Sequence, residues 1–110
     1  MNKLVEETIE SYNEYLSILP KGCQKIADDI RQTNLNEALK EILAFSEGVS
    51  WLISANVNLE KYLYYNPLNT EKIHVFLNEI NSGLEIQDYV IVADMFEYEI
   101  KPFFEKCQTY

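Results

Sequence analysis

Glycine and proline are scarce in this sequence, with three of each among 110 residues. That is about half of their usual combined share in proteins. Folds built only from strands place these residues at most of their turns. The scarcity therefore argues against an all-β fold and favours helices.

Basic residues are also few, since 9 Lys and Arg stand against 18 Asp and Glu and the net charge is −9. The excess of acid is spread over both halves of the chain. Nucleic-acid binding depends on clustered Lys and Arg that displace counterions from phosphates. Anionic membrane surfaces attract the same residues. The charge balance therefore predicts neither a nucleic-acid partner nor a membrane partner.

Long apolar runs and cysteines are few as well. The longest uncharged run, residues 48–59, has twelve residues, whereas a membrane helix needs ~20 apolar residues. Glu6 and Glu7 interrupt the start of the chain before the apolar core of a signal peptide could form. Cys23 and Cys107 imply no disulfide framework and are typical of reduced thiols, so we expect a cytoplasmic protein.

The remaining composition is that of an ordinary globular domain, with 47% apolar and 25% charged residues. It argues against intrinsic disorder. A length of 110 residues fits one domain and leaves little room for a second. We therefore expect residues 1–110 to form a single helical domain.

The first segment shows a regular apolar seam whose steps alternate between four and three residues, which predicts an amphipathic helix. The seam consists of Val5, Ile9, Tyr12, Leu16, Leu19, Cys23, Ile26 and Ile30. Pro20 lies within this segment, yet the spacing of the seam continues unchanged on both sides of it. An interior proline removes one backbone hydrogen bond and kinks a helix. Two interpretations remain: one helix kinked near Pro20, which the register favours, or two helices with Pro20 opening the second.

A second helix is predicted to begin near Leu35, because Asn34 and Glu37 have the spacing of a capping box. Gly48 lies within this helix, where glycine costs ~1 kcal/mol relative to alanine. Either the close approach of a neighbouring helix or a bend would explain it. A weaker helical stretch is expected over residues 56–66, ending before the proline that follows.

A third helix is expected to be capped by Asn69 or Thr70 and to end in a Schellman-type turn at Gly83. Asp88 is predicted to cap the fourth, whose apolar seam again has helical spacing: Tyr89, Ala93, Phe96, Ile100, Phe103 and Cys107. Pro102 predicts a bend near Tyr98. The predicted fold is all-α, an antiparallel four-helix bundle whose first and last helices are kinked at Pro20 and Pro102.

No residue pattern points to catalysis, a metal or a cofactor. Glu71 and His74 have the Glu-x-x-His spacing of di-iron bundles, but such a site needs two of these pairs and the chain has one histidine. Cys23 and Cys107 fall on apolar seams, where burial makes a thiol unreactive. We therefore expect no catalytic, cofactor-binding or metal-binding residues and no enzyme activity.

Two features remain as candidate partner-binding sites. Asp94, Glu97 and Glu99 form an acidic cluster, in which Glu97 also has the spacing for a helical ion pair with Lys101. The second feature is the tyrosine run that contains Tyr62, Tyr64 and Tyr65. It either covers the end of the bundle or forms a patch for a partner.

The stretch from Leu84 to Pro102, with the pattern L-E-x-x-D-Y-V-x-V-A-D-x-x-E-Y-E-I-x-P, resembles a small uncharacterised family of bacterial helical proteins, mainly from Firmicutes. Residues 46–52 are similar to a second, weaker signature of that group. The resemblance implies a compact cytosolic helical domain without an assigned activity.

Three functions remain in competition. The leading hypothesis is a non-enzymatic protein-binding adaptor or chaperone-like module, whose protein partner is unidentified and whose contact surface is the tyrosine run or the groove beside the fourth helix. The alternative is an acidic inhibitor, similar to immunity proteins or antitoxins, of a basic partner. The third is a carboxylate enzyme or metal protein. The sequence also leaves open a homodimer formed through apolar seam residues.

Overall fold

A computed structural model describes residues 2–110, and every regular element in that range is helical. In chain order the elements are α1 (Lys3–Arg31), α2 (Leu35–Glu60), α3 (Thr70–Glu85), α4 (Tyr89–Met95), a π-helical turn (Phe96–Ile100) and α5 (Lys101–Glu105). The last three are contiguous and are together called the C-terminal helix. The chain is therefore an all-α helical bundle, as predicted. No helix among the described residues combines the length and the apolar character that a membrane crossing requires.

The first helix, α1, passes through Pro20 without interruption. Its 29 residues rise ~43 Å, which is most of the 47 Å long axis of the molecule. Asn2 caps the helix, since its Oδ1 accepts a hydrogen bond of 2.8 Å from the Leu4 amide. Of the two interpretations of Pro20, the one with a single helix is correct, while the bend at Pro20 stays a prediction.

The core forms around α1, which packs against α2 and against all three parts of the C-terminal helix, while α3 packs on α4 and α2. Aromatic rings join the helices edge to face: the Phe45 ring of α2 lies 5.2 Å from that of Phe96 and 6.1 Å from that of Phe104. Such pairs stabilise beyond their buried area. Buried residues of every helix belong to this one cluster.

The last residues of the chain lie along α1. The Asn13 side chain donates to the Tyr110 carbonyl at 3.2 Å and accepts from the Tyr110 amide at 2.9 Å. Asn56 of α2 donates to the Tyr110 hydroxyl at 2.9 Å. The Tyr110 ring also packs edge to face on Tyr12. These contacts join the C-terminal residues to both long helices.

The capping box predicted for α2 is wrong, although α2 does begin at Leu35. Asn34 makes no side-chain capping bond. Thr33 has a left-handed φ of 63°, and the Asn34 amide donates to the Asp29 carbonyl of α1 at 2.8 Å. The tight turn between the helices therefore fixes the Asn34 backbone, and its side chain does not reach the first amides of α2.

The helical stretch predicted over residues 56–66 ends earlier, at Glu60. Leu63 adopts a left-handed φ of 66°, and the Tyr64 amide donates back to the Leu59 carbonyl at 3.1 Å. This turn ends α2, so that Tyr62 and its neighbours lie in an irregular connection. Asn69 then caps α3 by accepting from the Lys72 amide at 3.0 Å.

The helix end predicted at Gly83 is also wrong, because α3 continues to Glu85. The left-handed residue that follows the helix is Gln87, with φ 57°. Gly83 is buried, and a Cβ on it would lie 2.7 Å from Cγ2 of Val92. Close packing of α3 on α4, and not helix termination, therefore requires glycine here. Asp88 caps α4 as predicted, accepting from the Ile91 amide at 3.2 Å.

The C-terminal helix contains a π-helical turn at Phe96–Ile100, in the region where the bend near Tyr98 is predicted. A π turn adds one residue to the turn and shifts the helix face that follows it. Phe104 is consequently the buried residue of α5, whereas Phe103, which the seam predicted, is half-buried. The bend at Pro102 stays a prediction.

Candidate partner-binding surfaces

The acidic cluster on the C-terminal helix is held by an arginine from α1. Arg31 lies in the last turn of α1, and its Nη2 contacts Asp94 Oδ1 at 2.9 Å while its Nη1 donates to Glu97 Oε1. The Arg31 guanidinium also lies 5.8 Å from the centre of the Tyr98 ring. Two of the three predicted acidic residues thus belong to an ion-pair network.

A second pair of side chains extends this network. Gln24 of α1 donates to Glu97 Oε1 at 3.2 Å and accepts from Lys101 Nζ at 3.1 Å. The predicted Glu97–Lys101 ion pair is therefore not formed. Glu97 lies in the π turn and Lys101 directly follows it, and both side chains bind α1 instead.

Hydrogen bonds from Arg31, and then from Gln24, hold the pKa of Glu97 below its ordinary value. The same bond to Glu97 raises the pKa of Arg31. A carboxylate kept ionised in this way joins α1 to the C-terminal helix and is poorly matched to proton transfer near neutral pH. No sequence pattern indicates this network, because Arg31 is distant in the chain from Asp94 and Glu97 and belongs to no motif.

Glu99, the third residue of the acidic cluster, faces a different surface. It lines a groove of about 370 Å³ between α3 and the C-terminal helix. We call this the α3–α4 groove; its other lining residues are Asn78, Glu79, Ser82, Gly83, Ile86, Ile91 and Met95. The structure therefore separates Glu99 from Asp94 and Glu97, which the sequence had grouped together.

The tyrosine run lies in the connection after α2, and most of it is exposed. Tyr62 is 53% exposed, Leu63 76% and Tyr65 66%, whereas Tyr64 is half-buried. Tyr62 lines a groove between α1 and α2, and neither Tyr64 nor Tyr65 is among the residues that line that groove. The three tyrosines are thus in different environments.

The groove at Tyr62 has a volume of about 430 Å³ and lies between the start of α1 and the end of α2. We call it the Tyr62 groove; the other residues that line it are Leu4, Val5, Thr8, Trp51, Ser54, Ala55, Asn58, Leu59 and Lys61. Leu4 is 66% exposed and Trp51 41%. Large apolar side chains and a tyrosine thus converge on an open, concave surface.

Trp51 is a residue of this groove that no sequence pattern indicated. Its ring packs edge to face on Tyr15, with the ring centres 6.5 Å apart. Tyr15 in turn lies over Gly48, where a Cβ would fall 1.8 Å from the Tyr15 hydroxyl oxygen. Of the two explanations for Gly48, the structure supports close approach. A second apolar face on α1, beginning at Leu4, is the signal that could have indicated the groove.

The two thiols and the histidine line neither of these two grooves. Burial raises the pKa of Cys23 to about 12 and also raises that of Cys107. His74 is exposed on α3. Within residues 2–110, no three His, Cys, Asp or Glu side chains lie together in a way that could hold a metal ion.

A family model described as Domain of unknown function (DUF8042) matches residues 7–110, and the chain belongs to that family. The match agrees with the resemblance to an uncharacterised family. The signature that carried the resemblance and its bacterial group stay predictions. No significant match was found among curated proteins or among solved structures.

Proposed function

We propose that this member of the DUF8042 family is a non-enzymatic protein-binding module, an adaptor or a chaperone-like protein of the cytoplasm. The observation that carries the proposal is the Tyr62 groove, in which Leu4, Trp51 and Tyr62 are exposed side by side. Single exposed apolar side chains are normal on soluble proteins, whereas a continuous apolar groove marks an interaction site.

The chemistry of the groove suits an apolar segment of another protein. Val5, Ala55 and Leu59 are buried beneath it, and Thr8 and Asn58 add polar groups among the lining residues. Tryptophan and tyrosine are the residues that most often dominate binding energy at protein interfaces. Their rings lose little conformational freedom when a partner covers them.

The absence of enzyme activity is part of the same proposal. The Glu97 carboxylate is kept ionised by Arg31, and the Cys23 thiol has a pKa of about 12. Neither group is prepared for acid–base or nucleophilic chemistry at neutral pH.

The acidic inhibitor is the competing function. It requires free carboxylates that occlude a basic active site. Since Asp94 and Glu97 are paired with Arg31, only Glu99 of the predicted cluster stands outside that network, and the Tyr62 groove is the better supported site.

The proposal is tested by photo-crosslinking in the native cell, with p-benzoylphenylalanine placed either at Tyr62 or at Tyr65. Both positions carry an exposed tyrosine, but only Tyr62 lines the groove. We expect one protein to crosslink at position 62, to be absent at position 65, and to be lost from position 62 when Trp51→Ser is added.

Three other results would count against the proposal. Equal crosslinking at both positions would mean that the groove is not the contact surface. No adduct at either position would remove the evidence for a binding module. An adduct with a basic enzyme, formed at a rate that falls steeply with salt and that inhibits the enzyme, would support the acidic inhibitor instead.

A further inference from the structure

We infer that the α3–α4 groove binds a cationic amphipathic helix of a partner protein. This groove lies on a different face from the Tyr62 groove, with which it shares no lining residue. The inference therefore stands independently of the proposed function and goes beyond it by naming the chemistry of an occupant.

The groove has an apolar lining that nothing in the described chain covers. Ile86 is 72% exposed and Ile91 49%, and the buried Met95 lies beside them. Two further exposed valines lie on the helices that form the groove, Val75 of α3 at 42% and Val90 of α4 at 71% exposure. Val75, Glu79 and Ser82 follow one another at steps of four and three, so they share one face of α3, and Ile86 directly follows the end of that helix.

The shape of the groove follows from two features described above. The missing side chain at Gly83 lets Val92 of α4 pack directly on α3. The second feature is the π turn, in which Glu99 lines the same groove as Met95 while Ile100 stays fully buried in the core. π turns occur frequently at functional sites.

Charge identifies the occupant. From Ile73 to Ile100 the chain has six acidic residues and no Lys or Arg. Glu79 and Glu99 line the groove, and neither forms an ion pair within the described part of the chain. An apolar strip bordered by unpaired carboxylates is complementary to a helix with apolar residues on one face and Lys or Arg beside them.

The same charge argues against a second copy of this chain as the occupant. Two copies paired through this face would bring Glu79 and Glu99 of one protomer against acidic residues of its partner. Like charges placed against each other at an interface cost free energy and suppress pairing.

The test uses the full chain and a synthetic amphipathic helix that carries leucines on one face and lysines on the other. Binding is measured by isothermal titration calorimetry at low and at physiological salt. We expect the lysine peptide to bind, a peptide with glutamate in place of every lysine not to bind, and the affinity to fall as salt rises. The emission of Trp51, the only tryptophan, is expected to stay unchanged because it lies at the other groove.

Variants of the chain locate the binding site. Ile91→Ser is expected to weaken binding about tenfold, because it removes an apolar side chain that the bound helix would cover. The double variant Glu79→Gln, Glu99→Gln is expected to weaken binding and to flatten its salt dependence. Val57→Ser and Glu14→Gln replace exposed residues of α2 and α1 and serve as matched controls. All variants alter exposed side chains, and circular dichroism checks that they fold.

Four outcomes would overturn the inference. Unchanged affinity in Ile91→Ser would exclude the groove. A shift in Trp51 emission would place the peptide in the Tyr62 groove. Equal binding of a scrambled lysine peptide would reduce the effect to unspecific charge attraction. A wild-type dimer that becomes a monomer in Ile91→Ser would assign the face to a second copy.

Discussion

At the scale of single residues, two helical glycines have opposite environments. A Cβ at Gly48 would lie 1.8 Å from the Tyr15 hydroxyl oxygen and 2.3 Å from its Cζ, whereas a Cβ at Gly22 would meet no described heavy atom within 4 Å beyond its chain neighbours and the backbone of its own helix. Glycine inside a helix costs conformational entropy at both positions. Only at Gly48 does close packing offset that cost, because the Tyr15 ring occupies the space of the missing methyl group.

We therefore expect Gly48→Ala to lower the free energy of unfolding by about 1–3 kcal/mol, the usual cost of overpacking. The Tyr15 ring must move, so the emission of Trp51, which packs against it, should shift as well. Urea titration followed by fluorescence measures both effects.

Gly22→Ala is the matched control, and it is expected to raise the free energy of unfolding by up to ~1 kcal/mol. In a Tyr15→Ala background the added methyl group has room, and Gly48→Ala should then be far less harmful. If Gly48→Ala and Gly22→Ala were equally stable, the close approach of Tyr15 would be refuted.

At the scale of helices, the ion-pair network around Arg31 connects the end of α1 to the C-terminal helix. Arg31 contacts both Asp94 and Glu97, and Gln24, about two turns earlier in α1, adds a bond to Glu97. All of these groups are partly open to solvent, and exposed ion pairs contribute modestly to stability. Their combined effect depends on Glu97 staying ionised.

The network predicts a pH-dependent difference between the wild type and Arg31→Ala. Because the pKa of Glu97 is lowered in the folded state, its stabilising effect is complete above its ordinary pKa of about 4.3. That effect is lost as the pH falls through the lower, folded-state pKa. The free-energy difference between the two proteins should therefore be present at pH 7 and shrink in acid.

Chemical denaturation at a series of pH values measures this difference. Lys106→Ala, which also removes an exposed cation near the C-terminus, is the control and should show no such dependence, because Lys106 forms no ion pair among the described residues. A constant difference between the wild type and Arg31→Ala at all pH values would contradict the role given to Glu97.

The helices themselves were largely predictable, because their apolar seams repeat over many residues. The start of α4 at Tyr89 followed from its capping residue Asp88. The helix α2 begins at Leu35 as predicted, although the capping box that indicated this start is not formed. The errors arose where tertiary packing decides. Gly83 resembles a helix end in sequence, yet it serves contact with Val92. The π turn leaves no periodic signal of its own, so Phe103 and not Phe104 was expected in the core.

At the scale of the whole molecule, the candidate sites were less predictable than the fold. Tyr62 and Glu99 were identified from composition, but the grooves that they line depend on residues distant in the chain, such as Leu4 for one and Glu79 for the other. A groove on the surface depends on how the helices pack together. The periodicity of a single sequence indicates the buried face of each helix more clearly than its exposed face. The ion pair between Arg31 and Glu97 was missed for the same reason.

One continuous core predicts a single cooperative unfolding transition. Buried residues of every helix belong to the same cluster, and α1 contacts both α2 and the whole C-terminal helix. A domain of this size with one core usually unfolds in two states. Trp51 fluorescence reports on α1 and α2, and far-ultraviolet circular dichroism reports on all helices, so the two urea curves should coincide. A circular dichroism transition at lower urea than the fluorescence transition would mean that α3 and α4 unfold first. The α3–α4 groove would then belong to a part of the fold that unfolds separately from α1 and α2.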